Sequence, residues 1–153
     1  MTTTPTYREK LWPAPWLYIA TALVMPASLL VLLPINAFVG LVTAVVLYAG
    51  CVLLLIGGSP VVQVTPTHFL AGKARLPLAA VGEVSWFDGE QAKLELGQRL
   101  DARAWLLIRG WIAPVVRVEV VDEKDPTPYW VVSTRHPKAV VAAIEAAREA
   151  ATR

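Results

Sequence analysis

The sequence predicts a membrane protein in two parts, a hairpin of two transmembrane helices followed by an α+β domain with an antiparallel sheet. Of its 14 basic and 12 acidic residues, only the three at positions 8 to 10 precede Lys73. The block from Leu11 to Gly72 therefore runs for 62 residues without Asp, Glu, Lys or Arg. A soluble domain needs charge over its surface to stay in solution, so this block predicts membrane insertion.

Two apolar stretches of transmembrane length divide this block, Ala14 to Leu33 and Ala37 to Ile56, each of 20 residues. About 20 helical residues are needed to cross ~30 Å of hydrocarbon. Pro34 and Asn36 lie between the stretches and predict a helix stop and a tight turn. A cleaved signal peptide is the alternative for the first stretch, but that stretch is too long and a second one follows directly.

Basic residues flank both predicted spans on the same side of the hairpin. Arg8 and Lys10 precede the first span, Lys73 and Arg75 follow the second, and the turn is uncharged. The positive-inside rule therefore predicts that both termini are cytoplasmic. Since neither span contains Asp, Glu, Lys, Arg or His, the sequence excludes an ion path or transport by a single chain.

Two features inside the spans predict how the helices are shaped and packed. Pro26 should kink the first helix, because proline offers no N–H to the preceding turn. Gly40 and Ala44 are small residues four positions apart, which predicts close packing of the second helix against the first. We therefore divide the chain into a cytoplasmic segment of residues 1–13, a hairpin of residues 14–56 and a domain of residues 57–153.

The domain is predicted to consist of about six strands and one helix. Val115 to Val121 alternates, with valines on one face and Arg117 and Glu119 on the other. Residues 91–101 have no clear period and fit a loop or a short helix. Other strands are predicted at Val61 to Val64, His68 to Leu70, Val81 to Phe87, Ala104 to Ile108 and Tyr129 to Ser133.

The chain is predicted to close with an amphipathic helix from Pro137 to Ala151. Proline suits the first helical position. At 100° per residue, one face is apolar and the other carries Lys138, Glu145 and Glu149. The apolar face consists of Val140, Ala143, Ile144, Ala147 and Ala151. Strands followed by one packed helix are the outline of a pleckstrin-homology-like domain.

Polar residues cluster between Asp122 and His136, and this cluster is the densest source of chemical groups in the chain. A hydrolase needs a nucleophile beside a base that a third group orients. Ser133 and Thr134 are instead expected to cap the first amides of the final helix, and Arg135 to pair with Asp122 or Asp125. The chain has no Gly-x-Ser-x-Gly elbow, His-Glu-x-x-His motif or phosphate-binding glycine loop. No catalytic residue is predicted.

Aromatic residues give the candidate interaction sites. Tyr129 and Trp130 are adjacent in a predicted strand, so their rings should point to opposite faces. One ring is expected in the core, and the other toward the hairpin or a partner. Trp105 and Trp111 lie close to Arg109, a combination that suits a core, a membrane surface or a protein interface. These residues, together with Arg135, are the predicted contact positions.

Metal, cofactor and nucleic-acid sites are not predicted. The single cysteine, Cys51, allows neither a disulfide framework nor a cysteine-based zinc site. A metal centre built on His68 and His136 would need carboxylate help, and solvated or capping histidines are the simpler interpretation. The net charge of +2 gives no basic stripe for nucleic acid.

The run from Asp125 to Pro137, with Pro-Tyr-Trp followed by Ser-Thr-Arg, resembles the signature of an actinobacterial family of two-span membrane proteins of unknown function. Tyr7 to Trp12 and Gly72 followed by Arg75 are its other marks. More loosely, the chain is similar to bacterial proteins in which a membrane hairpin carries a pleckstrin-homology-like domain. The resemblance implies a bacterial inner-membrane protein and implies no activity or cofactor.

Three functional classes can be compared for a membrane-anchored domain of this composition. The first is a non-catalytic, membrane-anchored domain that binds a membrane-protein partner, as an accessory subunit does. The second is a lipid- or small-ligand-binding module at the inner membrane surface. The third, an enzyme, has no supporting group of residues. Headgroup-binding segments usually carry four to eight clustered Lys or Arg residues, and the nearly neutral domain puts the first class ahead.

Overall fold

The computed structural model describes residues 5–152 and divides the chain into two compact units. One unit comprises residues 12–59, and the other joins the segment that ends at Leu11 to the chain from Pro60 onward. The predicted division treated residues 1–13 as a separate segment, of which the first four lie outside the described residues. Its described part up to Leu11 belongs instead to the unit that contains the C-terminal domain.

The unit of residues 12–59 is helical, and its helices are α1 (Pro15–Ala22), α2 (Val24–Leu32) and α3 (Ala37–Gly57). The first predicted span is interrupted at Leu23, because Pro26 has no N–H to offer the carbonyl of Ala22. Pro15–Leu32 and Ala37–Gly57 are each long and apolar enough to cross a membrane, by length and composition. These helices could be two membrane spans.

Close packing within the helical unit occurs where small residues were expected. Gly40 and Ala44 are the two buried residues of α3. A Cβ atom added to Gly40 would lie 3.4 Å from the Cβ of Leu32, so a larger side chain would push the helices apart. The side chain of Asn36 begins α3 by accepting hydrogen bonds from the N–H groups of Phe38 and Val39.

Sheet A, the first sheet of the other unit, is antiparallel with the strand order β1-β2-β3-β4. Its strands are β1 (Tyr7–Lys10), β2 (Val61–Val64), β3 (His68–Ala71) and β4 (Ala74–Pro77). Tyr7 pairs with Val64 and Lys10 with Val61, so the strand before the helices lies beside the strand after them. β1 was not predicted, since its residues, Tyr-Arg-Glu-Lys, show no alternation of apolar and polar side chains.

Sheet B has the strand order β5-β7-β8-β6. Its strands are β5 (Val81–Phe87), β6 (Trp105–Leu107), β7 (Val115–Val120) and β8 (Tyr129–Ser133). A fully antiparallel sheet was predicted, but β6 runs parallel to β8. The chain reverses once between β6 and β7 and again between β7 and β8. Two reversals restore the original direction of the chain. β6 and β8, which are neighbours in the sheet, are therefore parallel.

Sheet B is covered on both faces, and we name the two faces inner and outer. The inner face shares one apolar cluster with sheet A and with α5 (Pro137–Ala151), whose predicted apolar face is buried except at Ala151. The outer face forms a second cluster around Ala92 of α4 (Gly89–Leu96). The stretch that the sequence left open between loop and helix is therefore partly helical. It is capped by Asp88.

Candidate functional site at the β8–α5 junction

The junction between β8 and α5 joins two segments that lie far apart in the sequence. The hydroxyl of Thr134, which is fully buried, donates to Oε2 of Glu9 in β1 at 2.5 Å. Oε1 of Glu9 accepts the N–H of Arg135 at 3.0 Å, and Thr134 Oγ1 accepts the N–H of His136 at 3.1 Å. Glu9 therefore holds β1 against the turn that begins α5.

Tyr7 completes this network from the other side of Glu9. Its hydroxyl donates to Oε2 of Glu9 at 2.9 Å. Partial burial raises the pKa of Tyr7 to about 12, and the neighbouring Glu9 carboxylate acts in the same direction. Tyr7 consequently stays a neutral donor well above physiological pH.

Two expectations about this junction were wrong. Ser133 was predicted to cap α5, but its hydroxyl accepts the N–H of Arg109 at 3.0 Å. Arg135 was predicted to pair with Asp122 or Asp125, and no such ion pair occurs among the described residues. These aspartates instead accept N–H groups within their own turn, from Lys124 and Thr127. These short-range bonds stabilise the turn that contains both aspartates.

A groove of about 450 Å³ opens beside the junction, and we call it the α5 groove. It is lined by Trp86, Asp88, Pro114, Arg135, His136, Pro137, Lys138 and Ala139. Trp86 is 42% exposed, and the ammonium of Lys138 lies 4.8 Å from its ring centroid. An exposed indole beside cationic side chains suits contact with acidic and aromatic groups.

Trp130 lies on the inner face of sheet B, where it is buried among aromatic rings. Its ring centroid is 4.3 Å from that of Trp105 in the parallel neighbour β6, and 6.1 Å from that of Phe69 in sheet A. Trp130 retains only 6% of its exposure. The Trp130 ring is therefore part of the core between the sheets.

Tyr129 points to the outer face, as period two requires, and is also buried. The guanidinium of Arg117 lies 3.9 Å from its ring centroid. The Tyr129 hydroxyl donates to the carbonyl of Arg99 and accepts the N–H of Asp101. The outer face was expected to meet the hairpin or a partner, but α4 and the following loop of the same unit cover it.

A buried carboxylate that the sequence analysis missed fixes α4 to this face. Glu95 is 2% exposed, and its two oxygens each lie 3.1 Å from a guanidinium nitrogen, one of Arg99 and one of Arg117. The spacing of Glu95 and Arg99, four residues apart, is a helical ion-pair pattern that could have been noticed. The partner in β7, 22 positions away, has no local signal.

The predicted cluster of Trp105, Arg109 and Trp111 lies in β6 and in the turn that follows it. Trp105 and Trp111 are both partly buried against the inner core, and the N–H of Ile112 closes the turn between β6 and β7 onto the Arg109 carbonyl. The Arg109 guanidinium is 6.0 Å from the Trp111 ring centroid and donates to the carbonyl of Ile108.

Metal ligands do not converge in the part of the chain that the structure describes, where no group of three His, Cys, Asp or Glu side chains occurs. Nδ1 of His68 lies 2.9 Å from the hydroxyl of Thr67. His136 occupies the position before α5.

Comparison with known proteins places the chain in a family. Searches of curated proteins and of solved structures found no match. The model of one family, described as "Protein of unknown function (DUF3093)", matches residues 6–144 and so includes both Glu9 and the β8–α5 junction. The chain belongs to the DUF3093 family of proteins of unknown function.

Proposed function

We propose that this chain is a non-catalytic, membrane-anchored interaction protein, an accessory subunit of a membrane complex, whose α5 groove binds a segment of a partner protein. The anchor is the pair of apolar helical stretches, Pro15–Leu32 and Ala37–Gly57. The charge-free block that contains them gives the same indication. The observation that carries the binding proposal is the α5 groove, with its half-exposed tryptophan and its cations.

The pairing of β1 with β2 supports a hairpin that crosses the membrane twice. These strands precede and follow the helical unit, and they share one sheet, so both must lie on the same side of any bilayer. An even number of crossings satisfies this requirement. A cleaved signal sequence does not fit well, because cleavage would remove β1 and also Leu11, which is fully buried in the core.

The side on which the paired strands lie follows from charge. Arg8 and Lys10 before the helices, and Lys73 and Arg75 after them, favour the cytoplasmic side. The resemblance of the run from Asp125 to Pro137 to an actinobacterial family supports a bacterial inner membrane as the location. Both termini are then cytoplasmic.

The architecture of the strand-rich unit supports a pleckstrin-homology-like domain. Two four-stranded sheets share one core, and a C-terminal helix packs against both of them. The parallel pair of β6 and β8 departs from that outline. In this proposal the domain presents a binding surface at its helix end and performs no chemistry.

A partner with acidic and aromatic side chains fits the α5 groove. Lys138 and Arg135 supply positive charge, Trp86 supplies an apolar platform, and Asp88 is the one carboxylate of the lining. Trp86 and Lys138 already form a cation–π pair with each other. An acidic residue on a partner could bind the ammonium while its neighbour stacks on the indole.

The alternative function is recognition of a lipid or another small anionic ligand in the same groove. The cationic lining favours it, whereas the near-neutral charge of the domain does not. The two functions differ in what lies against the groove in the cell, a protein chain or a small molecule.

Photo-crosslinking in cells separates these possibilities. A photoreactive amino acid at Ala139, which lines the groove, should capture a discrete membrane protein, and the charge reversal Lys138→Glu should reduce that product. The same amino acid at Ala146, exposed on α5 and absent from the groove lining, is the control. Capture of lipid alone at Ala139 would favour the alternative, and identical products at both positions would contradict a groove-specific partner.

Topology reporters test the anchor separately. A reporter fused before Tyr7 and one fused after the C-terminus should both give a cytoplasmic signal. Signals on opposite sides of the membrane would be incompatible with the pairing of β1 and β2, and two periplasmic signals would reverse the proposed orientation.

A further inference from the structure

The end of sheet A that carries both chain connections forms a distinct surface on the strand-rich unit. At this end the N–H of Leu11 donates to the carbonyl of Pro60 at 2.9 Å, one position beyond the Lys10–Val61 pair. The chain toward α1 leaves from Leu11, and the chain from α3 arrives at Pro60. Both connections therefore enter the unit at one point.

The β3–β4 turn and the end of β6 lie beside this point. The N–H of Gly72 donates to the carbonyl of Val61, and a Cβ atom added to Gly72 would lie 3.6 Å from Pro60 and 3.7 Å from Leu107. The positive φ of 63° at Gly72 makes this turn tight. The turn that carries Arg109 and Trp111 begins directly after Leu107.

The surface around this point is basic and partly apolar. We call it the tether rim and define it by Lys10, Lys73, Arg75, Ile108, Arg109, Gly110 and Trp111. The segments 10–12, 60–62, 71–75 and 106–113 contain four cations and no Asp or Glu. Lys73 and Gly110 are exposed, and Ile108, Arg109 and Trp111 are half-buried. Tryptophan beside basic residues is the composition that proteins use at the headgroup layer.

Short connections limit how far the tether rim can be from a bilayer. Residues 11–14 join β1 to α1, and residues 58–60 join α3 to β2. At ~3.5 Å per extended residue, a connection of four residues spans about 14 Å at most. If the helices are spans, the end of the unit that bears both connections must remain near the headgroups.

We propose that the tether rim is a membrane-binding surface, with Lys73 and Arg109 at anionic phospholipid headgroups and Ile108 and Trp111 in the interfacial layer. The inference rests on the proposed anchor and adds to it a second, non-covalent contact with the bilayer. That contact restricts how the domain moves on its two short connections. The tether rim and the α5 groove have different residues and different ligands.

Site-directed spin labels on the full chain test the surface. Gly110→Cys is a suitable label site, since a Cβ atom there meets nothing within 4 Å. Val46→Cys reports on α3, and Ala146→Cys on the exposed face of α5 is the matched control. All three are made in a Cys51→Ser background and reconstituted in phosphatidylcholine vesicles with or without phosphatidylglycerol.

In the vesicles with phosphatidylglycerol, the label at 110 should be shielded from a water-soluble relaxation agent and accessible to oxygen dissolved in the bilayer. The label at 146 should remain accessible to the water-soluble agent. Lys73→Gln should lower the ratio of membrane-bound to unbound rim by about fivefold. This is the change expected when an anionic surface loses its contact with one cation. In pure phosphatidylcholine, the effect of Lys73→Gln should disappear.

The label at 46 separates failure of the inference from failure of the anchor. If 46 lies in lipid while 110 is as water-accessible as 146, the anchor stands and the rim proposal is wrong. If 46 is accessible to water, the anchor is wrong and the rim proposal falls with it. Shielding at 110 that depends neither on phosphatidylglycerol nor on Lys73 would overturn the assignment to anionic headgroups.

Discussion

The two faces of sheet B are both buried, but they are covered by different physical means. The inner face packs valines and Trp130 against sheet A and α5 without an ion pair among its cluster members. The outer face has a small apolar cluster, where Glu95 of α4 pairs with Arg117 of β7 and with Arg99, and the Tyr129 hydroxyl binds the loop that follows α4. Apolar burial stabilises the first face, and directed bonds orient the second.

This difference has a consequence for substitution. Loss of an apolar side chain on the inner face leaves a cavity, whose cost grows with the volume removed. Loss of one polar partner on the outer face leaves a buried charge or carbonyl without its bond. Each face should therefore respond to a characteristic kind of variant.

Replacement of the inner ring should have the largest effect. Trp130→Ala should lower the free energy of unfolding by about 3–5 kcal/mol, because it removes a ring that contacts both Trp105 and Phe69. Chemical denaturation of the full chain in detergent, followed by tryptophan fluorescence and circular dichroism, measures the loss. Leu106→Ala, exposed on the neighbouring strand, should cost less than about 1 kcal/mol. Equal effects would show that the inner ring is not a core residue.

The ion-pair network should give the next largest effect. Arg117→Met should cost about 2 kcal/mol, since Glu95 stays buried and retains only Arg99. In the double variant with Glu95→Leu, no carboxylate is left uncompensated, so part of the stability should return. Denaturation of both single variants and the double variant forms the cycle. Additive losses would contradict a coupled network.

Structure that depends on contacts between neighbouring residues could be predicted from the sequence, and structure that depends on distant contacts could not. The apolar face of α5 follows from helical period, and the alternation of β7 follows from strand period, because both are written in neighbouring residues. The pairing of β1 with β2 has no comparable signal in the sequence. Each strand has only four residues, and about 50 residues lie between the paired positions.

The candidate site shows the same limit. The polar run at residues 133–136 was noticed, but its main partner, Glu9, lies more than 120 positions earlier. Local capping was the simpler expectation for Ser133, whereas the fold offers its hydroxyl the N–H of Arg109. Burial of Tyr129 depended on α4, a helix whose sequence has little amphipathic character.

A smaller effect is expected from the Tyr129 hydroxyl alone. Tyr129→Phe keeps the ring under Arg117 but removes the bonds to the Arg99 carbonyl and the Asp101 N–H. With each bond contributing about 1 kcal/mol, the loss should be ~1–2 kcal/mol. Hydrogen exchange should accelerate at the amide of Asp101 and stay unchanged in β7. Uniform acceleration across the unit would indicate a general loss of packing instead.

The smallest effect should be an acid dependence confined to the outer face. The Arg103 guanidinium lowers the pKa of Asp101 from 3.8 to about 2. A carboxyl with a lowered native pKa stabilises the folded state above its unfolded pKa, and this contribution disappears as the pH falls through the native value. The difference in stability between the wild type and Asp101→Asn should therefore be small at neutral pH and should vanish between pH 3.8 and about 2.

Glu145→Gln, on the exposed face of α5, is the control for net charge. It removes one negative charge at a position far along the chain from Arg103. Hydrogen exchange at the Arg103 amide, which donates to Asp101 Oδ1 at 2.8 Å, gives the local measurement. A wild-type advantage that persists below pH 2 would mean that the carboxylate is not its source.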